Sequence, residues 1–248
     1  MPVAFVTGSS SGIGRATAQR FAAADYDVVI NFSRSADRAA SVVGTLGGAG
    51  RHRALRGDVS DEVAVNHMTG TITAAYGRLD VLVNNAGTTS PTPPDDLDGV
   101  DLADWDRVFA VNVRGLFQVT RACAPLLRAA HGSVVNVASI VGLRPGPQPL
   151  AYAATKAAVV SLTRTLSRVL APEVRVNAVA PGWVDGEWMR RTLAQSYEKM
   201  MERRAARTPM GRNVSEADVA ESIFALATAH PFVTGETVTI DGGYTATS

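Results

Sequence analysis

The 248-residue sequence predicts a doubly wound α/β fold, a seven-stranded parallel sheet with helices on both faces, in a single domain. Three observations lead there. Short runs rich in Val, Ile and Ala recur along the chain, continuous rather than alternating in polarity, as expected of strands covered on both faces. Helical patterns separate them, and right-handed crossovers turn such a rhythm into a parallel sheet. No Pro/Gly/Ser-rich connector, internal repeat or low-complexity tract divides the chain, so residues 1–248 read as one domain around one core.

The first strand, residues 3–7, passes straight into a helix over 13–24 through Thr7-Gly8-Ser9-Ser10-Ser11-Gly12-Ile13-Gly14. Gly8 permits a tight turn, Gly12 lets backbone approach a diphosphate, and Gly14 lets the helix pack closely. The helix N-terminus supplies N–H donors and a favourable dipole. No Lys-Ser/Thr pair follows the last glycine, which argues against a nucleoside triphosphatase. A strand over 28–32 and a helix over 36–46 come next, then a weaker strand over 51–57 and a helix over 62–76. Residues 81–84 form a strand ending in Asn84-Asn85-Ala86-Gly87, a turn that by itself could touch no ligand. A helix over 104–128 carries Asn112 and leads to a strand over 133–138, with Ser139 at its carboxyl edge, where ligands of such sheets bind. The helix over 151–170 and strand over 174–180 precede a segment over residues 186–212. A helix over 216–228 and a strand over 237–240 complete the series.

Composition narrows the classes of function. A net charge of +1 and a pI near 8.0, with no extended run of Lys/Arg, give no footprint for nucleic acid or an anionic membrane. Cys123 is the single cysteine, so no intrachain disulfide forms, and its apolar helical setting reads as a buried inert thiol. With no charged leader or long apolar segment at the start, a soluble cytoplasmic protein is expected. His52, His67, His131 and His230 lack the close spacing of metal ligands, and no metal site is expected.

Tyr152 and Lys156 lie four residues apart on one helix and so share a face. A phenol of pKa about 10 is a poor proton carrier at neutral pH, and a cation held nearby favours its phenolate. In isolation the pair is only suggestive, since Ser139 could be a turn or cap serine and Asn112 a buried structural amide.

The spacing TGxxxGxG, followed by Asn84-Asn85-Ala86-Gly87, Asp58-Val59 and Pro181-Gly182, resembles the short-chain dehydrogenase/reductase family over essentially the whole chain. Within it, NFSRS, the YAATK helix and the ending TIDGGY look most like 3-oxoacyl-carrier-protein reductases and related ketoreductases. The resemblance implies a Rossmann-type dinucleotide fold and a tetrad: Tyr152 moves the substrate proton, Ser139 bonds the substrate oxygen, Lys156 also holds the nicotinamide ribose, and Asn112 supports a relay water. It places Gly8 to Gly14 on the diphosphate and Asp58 and Val59 at the adenine, and adds Asn85, Ala86 and Gly87 to the cofactor site. Pro181, Gly182 and Val184 fall beside the nicotinamide. Gly186 departs from the family, which usually has a threonine there.

The second strand ends Asn31-Phe32-Ser33-Arg34-Ser35, with no carboxylate to repel a 2′-phosphate. Arg34 can fork to that phosphate while Ser33 and Ser35 donate, so NADP(H) is favoured over NAD(H), although Arg34 could also be a solvated loop residue. The expected reaction is reduction of a ketone, such as a 3-oxoacyl thioester, to a secondary alcohol. The alternatives are an alcohol, sugar or steroid dehydrogenase working oxidatively, or an idle NADP sensor. The resemblance makes residues 186–212 a substrate lid, and Trp183, Trp188, Met189, Tyr197, Met200 and Met201 in or near it could line an apolar pocket or simply pack together. The loop over 88–101, with Pro91, Pro93 and Pro94 and several aspartates, could shape the entrance or oppose an acidic carrier. The C-terminal Thr239-Ile240-Asp241-Gly242-Gly243 resembles a family segment used in tetramer contacts, and a homotetramer is expected.

Overall fold

A computed structural model describes residues 1–246. Its sheet is built from β1 (Val3–Val6), β2 (Asp27–Phe32), β3 (Arg53–Arg56), β4 (Val81–Asn84), β5 (Ser133–Val137) and β6 (Arg175–Pro181), closed by an edge strand at Thr237–Ile240. All seven run parallel, in the spatial order third, second, first, fourth, fifth, sixth and C-terminal strand. The chain therefore winds outward from β1 in one direction and, after β4, in the other. The gap between the two halves opens at the carboxyl ends of β1 and β4.

The strands are continuous apolar runs because both faces are buried, and successive side chains serve opposite cores. Val3 and Phe5 of β1 join one cluster with Val65, Met68 and Ile72 of α3 (Glu62–Tyr76). That cluster also takes in Leu116, Val119 and Leu127 of α5 (Leu116–Ala129) and Val159 and Leu166 of α6 (Leu150–Leu170). Ala4 and Val6 face the other way, onto Ala18 and Phe21 of α1 (Gly12–Ala22) and Val42 of α2 (Ala36–Thr45). The C-terminal helix, Glu216–Thr228, lies beside α1 on that face, where Phe21, Tyr26 and Phe224 meet edge to face and Arg20 caps the Phe224 ring at 3.6 Å.

The expected helix over 104–128 is present but not uniform. It starts at Leu102 as α4 (Leu102–Phe109), widens into a π-helical turn over Ala110–Gly115, and resumes as α5. A β-carbon at Gly115 would stand 2.9 Å from Val59 Cγ2, so the widened turn passes directly over the loop after β3. The weak strand over 51–57 contracts to β3. The lid holds two short helices, α7 (Glu187–Leu193) and α8 (Tyr197–Ala205), flanked by a two-residue parallel pair, β7 (Val184–Asp185) with β8 (Val214–Ser215); the C-terminal helix and strand are then α9 and β9. No helix among the described residues is long and apolar enough to cross a membrane.

Candidate active site

The glycine-rich turn after β1 is braced from both neighbouring strands. Asn31 of β2 accepts from the Gly8 N–H through Oδ1 at 3.0 Å and donates through Nδ2 to the Gly57 carbonyl at 2.9 Å. Asn85, just past β4, donates to the carbonyls of Thr7 and Gly8 at 2.9 and 3.0 Å, while Thr7 Oγ1 accepts from the N–H groups of Asn85 and Ala86. Gly8 and Gly12 have φ of 60° and 59°, a region that favours glycine. A β-carbon at Gly14 would lie 2.5 Å from Asn85 Nδ2 and 2.7 Å from the Gly8 oxygen, so α1 starts against its own turn.

Within this turn the residues divide. Ser10 and Ser11 are partly exposed, and their hydroxyls have no partner among the described residues, so they stand with Gly12 and Ile13 at the open N-terminus of α1. Ser9 does not stand there. It is fully buried, donating to the Val6 carbonyl at 2.7 Å and accepting from Asn31 N–H, so its side chain braces the turn instead of facing a diphosphate.

Ser33 and Arg34 are exposed beyond β2, and Ser35 caps α2 by position without a cap bond from its hydroxyl. None of the three side chains has a partner among the described residues, which leaves a guanidinium and two hydroxyls uncommitted at one corner. Asp58 is committed: its Oδ1 accepts from Ser60 N–H at 2.8 Å and Ser60 Oγ at 2.6 Å. Val59 is buried beneath the π turn, with its carbonyl bonded by Gln118.

The proton-transfer group gathers at the carboxyl ends of β4 and β5. Ser139 caps a single 3₁₀ turn, Ile140–Gly142, and its hydroxyl is hydrogen-bonded to that of Tyr152. A β-carbon at Gly142 would come within 2.5 Å of the Lys156 backbone carbon, so the turn bearing Ser139 lies flat against α6 and fixes the two hydroxyls relative to each other. Lys156 is buried, donates to the Val137 carbonyl at 2.7 Å and sits 5.5 Å from the centre of the Tyr152 ring. Gly87 faces it, with space for a β-carbon only 3.9 Å from the ammonium and 3.5 Å from Asn112 Oδ1.

Burial governs both titrations. It pushes the Tyr152 phenol up to about 12, with the Ser139 hydrogen bond pulling the other way, and lowers Lys156 to about 8. Desolvation thus works against the expectation that Lys156 holds Tyr152 toward its phenolate.

Asn112 is buried in the π turn with its amide fully engaged. Oδ1 accepts from Thr88 N–H at 2.8 Å, and Nδ2 donates to the Thr88 carbonyl at 2.9 Å and to Thr155 Oγ1 at 3.0 Å. Its side chain is a brace for the strand end and α6, with no donor left for a relay water. A second buried chain, which the sequence reading missed, runs from Thr120 through Asn84 and Asn136 to Thr163, with amide bonds of 2.9 to 3.0 Å beneath the site.

On the lid side, Gly182 donates to Ile240 at 2.9 Å, and Val184 is held in register with Val214. Trp183, Tyr197 and Met201 are buried against one another, with Arg204 4.2 Å over the indole, so most of the lid's large side chains pack together and do not line a pocket. Trp188 differs. It is half-exposed, with its ring 6.4 Å from that of Tyr152.

Two hydroxyls converge here beside a buried ammonium, across from a glycine-rich helix start. A family model described as enoyl-(acyl carrier protein) reductase matches residues 8–245. The chain belongs to the short-chain dehydrogenase/reductase family. As a member it is an NAD(P)-dependent oxidoreductase acting on CH–OH/C=O groups. It is 41% identical over 98% of its length to a protein named as a ketoacyl reductase of the granaticin polyketide synthase from Streptomyces violaceoruber, covering 95% of that protein. It is 36% identical to a 3-oxoacyl-[acyl-carrier-protein] reductase from Thermotoga maritima, over 97% of this chain and 96% of the other. A crystal structure of a short-chain dehydrogenase/reductase from Burkholderia xenovorans superposes with a TM-score of 0.91 at 36% identity, covering 99% of this chain and 98% of that one.

Proposed function

We propose that this family member is an NADPH-dependent ketoreductase that converts a 3-oxoacyl thioester or similar ketone to a secondary alcohol, with Tyr152 as the general acid. The observation that carries this reading is the hydroxyl pair of Ser139 and Tyr152, tied to each other and fixed against α6. Both can donate to one oxygen, and such preorganised donors stabilise the negative charge that grows on a carbonyl oxygen as carbon is reduced.

The residues fit a nicotinamide dinucleotide. Ser10, Ser11 and Gly12 offer free hydroxyls and backbone N–H groups to a diphosphate at the start of α1. The uncommitted Ser33, Arg34 and Ser35 suit a 2′-phosphate, and Arg34 can grip it through charge-assisted bonds. Lys156, facing the Gly87 backbone, is placed to donate to the nicotinamide ribose. When bound, the cofactor supplies the hydride.

The chain's own groups handle the oxygen and the proton. Ser139 orients the carbonyl, and Tyr152 keeps its proton at neutral pH until charge develops there and then gives it up. Lys156 stabilises the phenolate left behind until solvent restores it. The half-exposed Trp188, facing Tyr152, supplies an apolar wall for the chain beyond the ketone. Exposed Phe117 on α5, and Val238 on the edge strand β9 with Phe232 just before it, give apolar faces for the homotetramer that we also propose, in the cytoplasm; light scattering of the purified protein reads the assembly.

Initial rates with NADPH and NADH against a 3-oxoacyl thioester, a cyclic ketone, an enoyl thioester and a secondary alcohol test the reading. Turnover of the oxoacyl thioester with NADPH is expected. Turnover of the enoyl thioester alone, or of none, would overturn it.

A further inference from the structure

Gly186 opens the lid, yet its backbone does not call for glycine: φ is −171°, extended chain that any residue adopts. Space calls for it. A β-carbon there would stand 2.5 Å from Glu216 Oε1 and 3.2 Å from Glu216 Cδ. The contact follows from register, because β7 and β8 pair Val184 with Val214 and Asp185 with Ser215, which sets residues 186 and 216 side by side as the strands turn into their helices.

Glu216 reaches further. Its other oxygen is 3.2 Å from Arg15 Nη2 in the first turns of α1, and its Oε1 is 3.7 Å from where a β-carbon on Gly12 would be. The carboxylate is largely buried, at 16% side-chain exposure, while Arg15 is 43% exposed. One side chain therefore lies against the first residue of the lid, stands near the edge of the glycine-rich turn and bonds a cation on the helix that the turn starts.

We propose that Glu216 is a positioning residue that latches the start of the lid to the phosphate loop, filling from α9 the space that a side chain at position 186 would otherwise fill. The shape of the carboxylate spans the gap, and its bond to Arg15 holds it there. The inference deepens the cofactor reading above and rests on it for one of its two tests.

The first test needs no cofactor. Limited trypsin digestion of the full chain reports how often the lid, which carries Arg190, Arg191 and Lys199, opens. Glu216→Ala is expected to be cut about fivefold faster in the lid, Glu216→Gln to behave within about twofold of the parent, and Gly186→Thr/Glu216→Ala to recover, because a side chain at 186 then fills the vacancy. Gly186→Thr alone displaces Glu216 from Arg15 and is expected to be cut faster.

The second test is fluorescence titration with NADPH. Glu216→Ala and Gly186→Thr are each expected to raise Kd about tenfold, and the double variant to return within about threefold of the parent. A melting scan on each variant separates loss of the latch from loss of the fold. Protection of the lid unchanged in both single variants, or a double variant no better than its parents, would overturn the latch. Absence of NADPH binding by the parent would instead sink the cofactor reading and leave proteolysis to decide.

Discussion

One side-chain amide holds both backbone groups of a single residue: Asn112 accepts from the Thr88 N–H at 2.8 Å and donates to the Thr88 carbonyl at 2.9 Å. This clamp fixes the chain as it leaves β4 past Gly87, and the same amide bonds Thr155, which in turn donates to the Tyr152 carbonyl at 2.7 Å. The widened π turn is what directs Asn112 at both partners. Asn112→Ala leaves a buried N–H and carbonyl without partners, a loss of about 1–3 kcal/mol. For a chain of this size that corresponds to a melting midpoint lower by roughly 2–10 °C. Calorimetry checks the stability, and kcat should fall as well, because Tyr152 loses a support two bonds away.

Tyr152→Phe removes only the hydroxyl, and with it the bond to Ser139. The ring keeps its place 6.4 Å from Trp188, and nothing at the turn after β1 changes. Turnover should fall by about 10²–10⁴, the usual worth of a positioned general acid, while the Kd for NADPH stays within about twofold. Steady-state rates beside a fluorescence titration measure both; retained kcat would remove Tyr152 from the mechanism.

Lys156 gives a pH dependence with a defined sign. Its ammonium titrates near 8 in the folded protein, below the ordinary 10.5, because burial disfavours the charge. Between those values the unfolded chain binds more protons than the folded one, so this residue makes stability rise with pH from about 8 to 10.5. Lys156→Met should therefore raise stability at pH 7, by something of the order of 3 kcal/mol less the lost bond to Val137, with the advantage fading above pH 10. Activity moves oppositely: reductive kcat/KM of the parent should decline above about pH 8 as the cation is lost, while Tyr152 stays protonated to about 12. Denaturant unfolding of parent and variant across this range, beside a rate profile, separates the two effects.

The strands were legible because a parallel sheet covered on both faces needs unbroken apolar runs, and Val3–Val6 or Val81–Asn84 can be little else. Tyr152, Lys156 and Ser139 were suggested by helix period and a strand end, and became legible as a group through the resemblance to the family. What escaped the sequence reading depends on long-range pairing. Ser9 looks like a phosphate-loop serine, yet Asn31, 22 residues later, turns its hydroxyl inward. Asn112 reads equally well as a relay or a brace until Thr88 and Thr155 are seen to use its whole amide. Trp183 and Tyr197 carry no local mark that they pack on each other and leave Trp188 to face Tyr152.

Arg34 is where the proposed preference for NADPH is tested. Its guanidinium has no partner among the described residues, whereas Arg38, one turn further on, is bound to Glu187 at 2.5 Å. A free cation flanked by two free hydroxyls gains most from a doubly charged phosphate and little from a ribose hydroxyl. Arg34→Ala should raise the KM for NADPH about 10–100-fold, in line with the loss of a charge-assisted bond pair of roughly 1.5–3 kcal/mol, and leave the KM for NADH nearly unchanged. Parallel KM measurements with the two cofactors decide it: equal effects on both would show that Arg34 never meets the 2′-phosphate and would sink the proposed preference for NADPH.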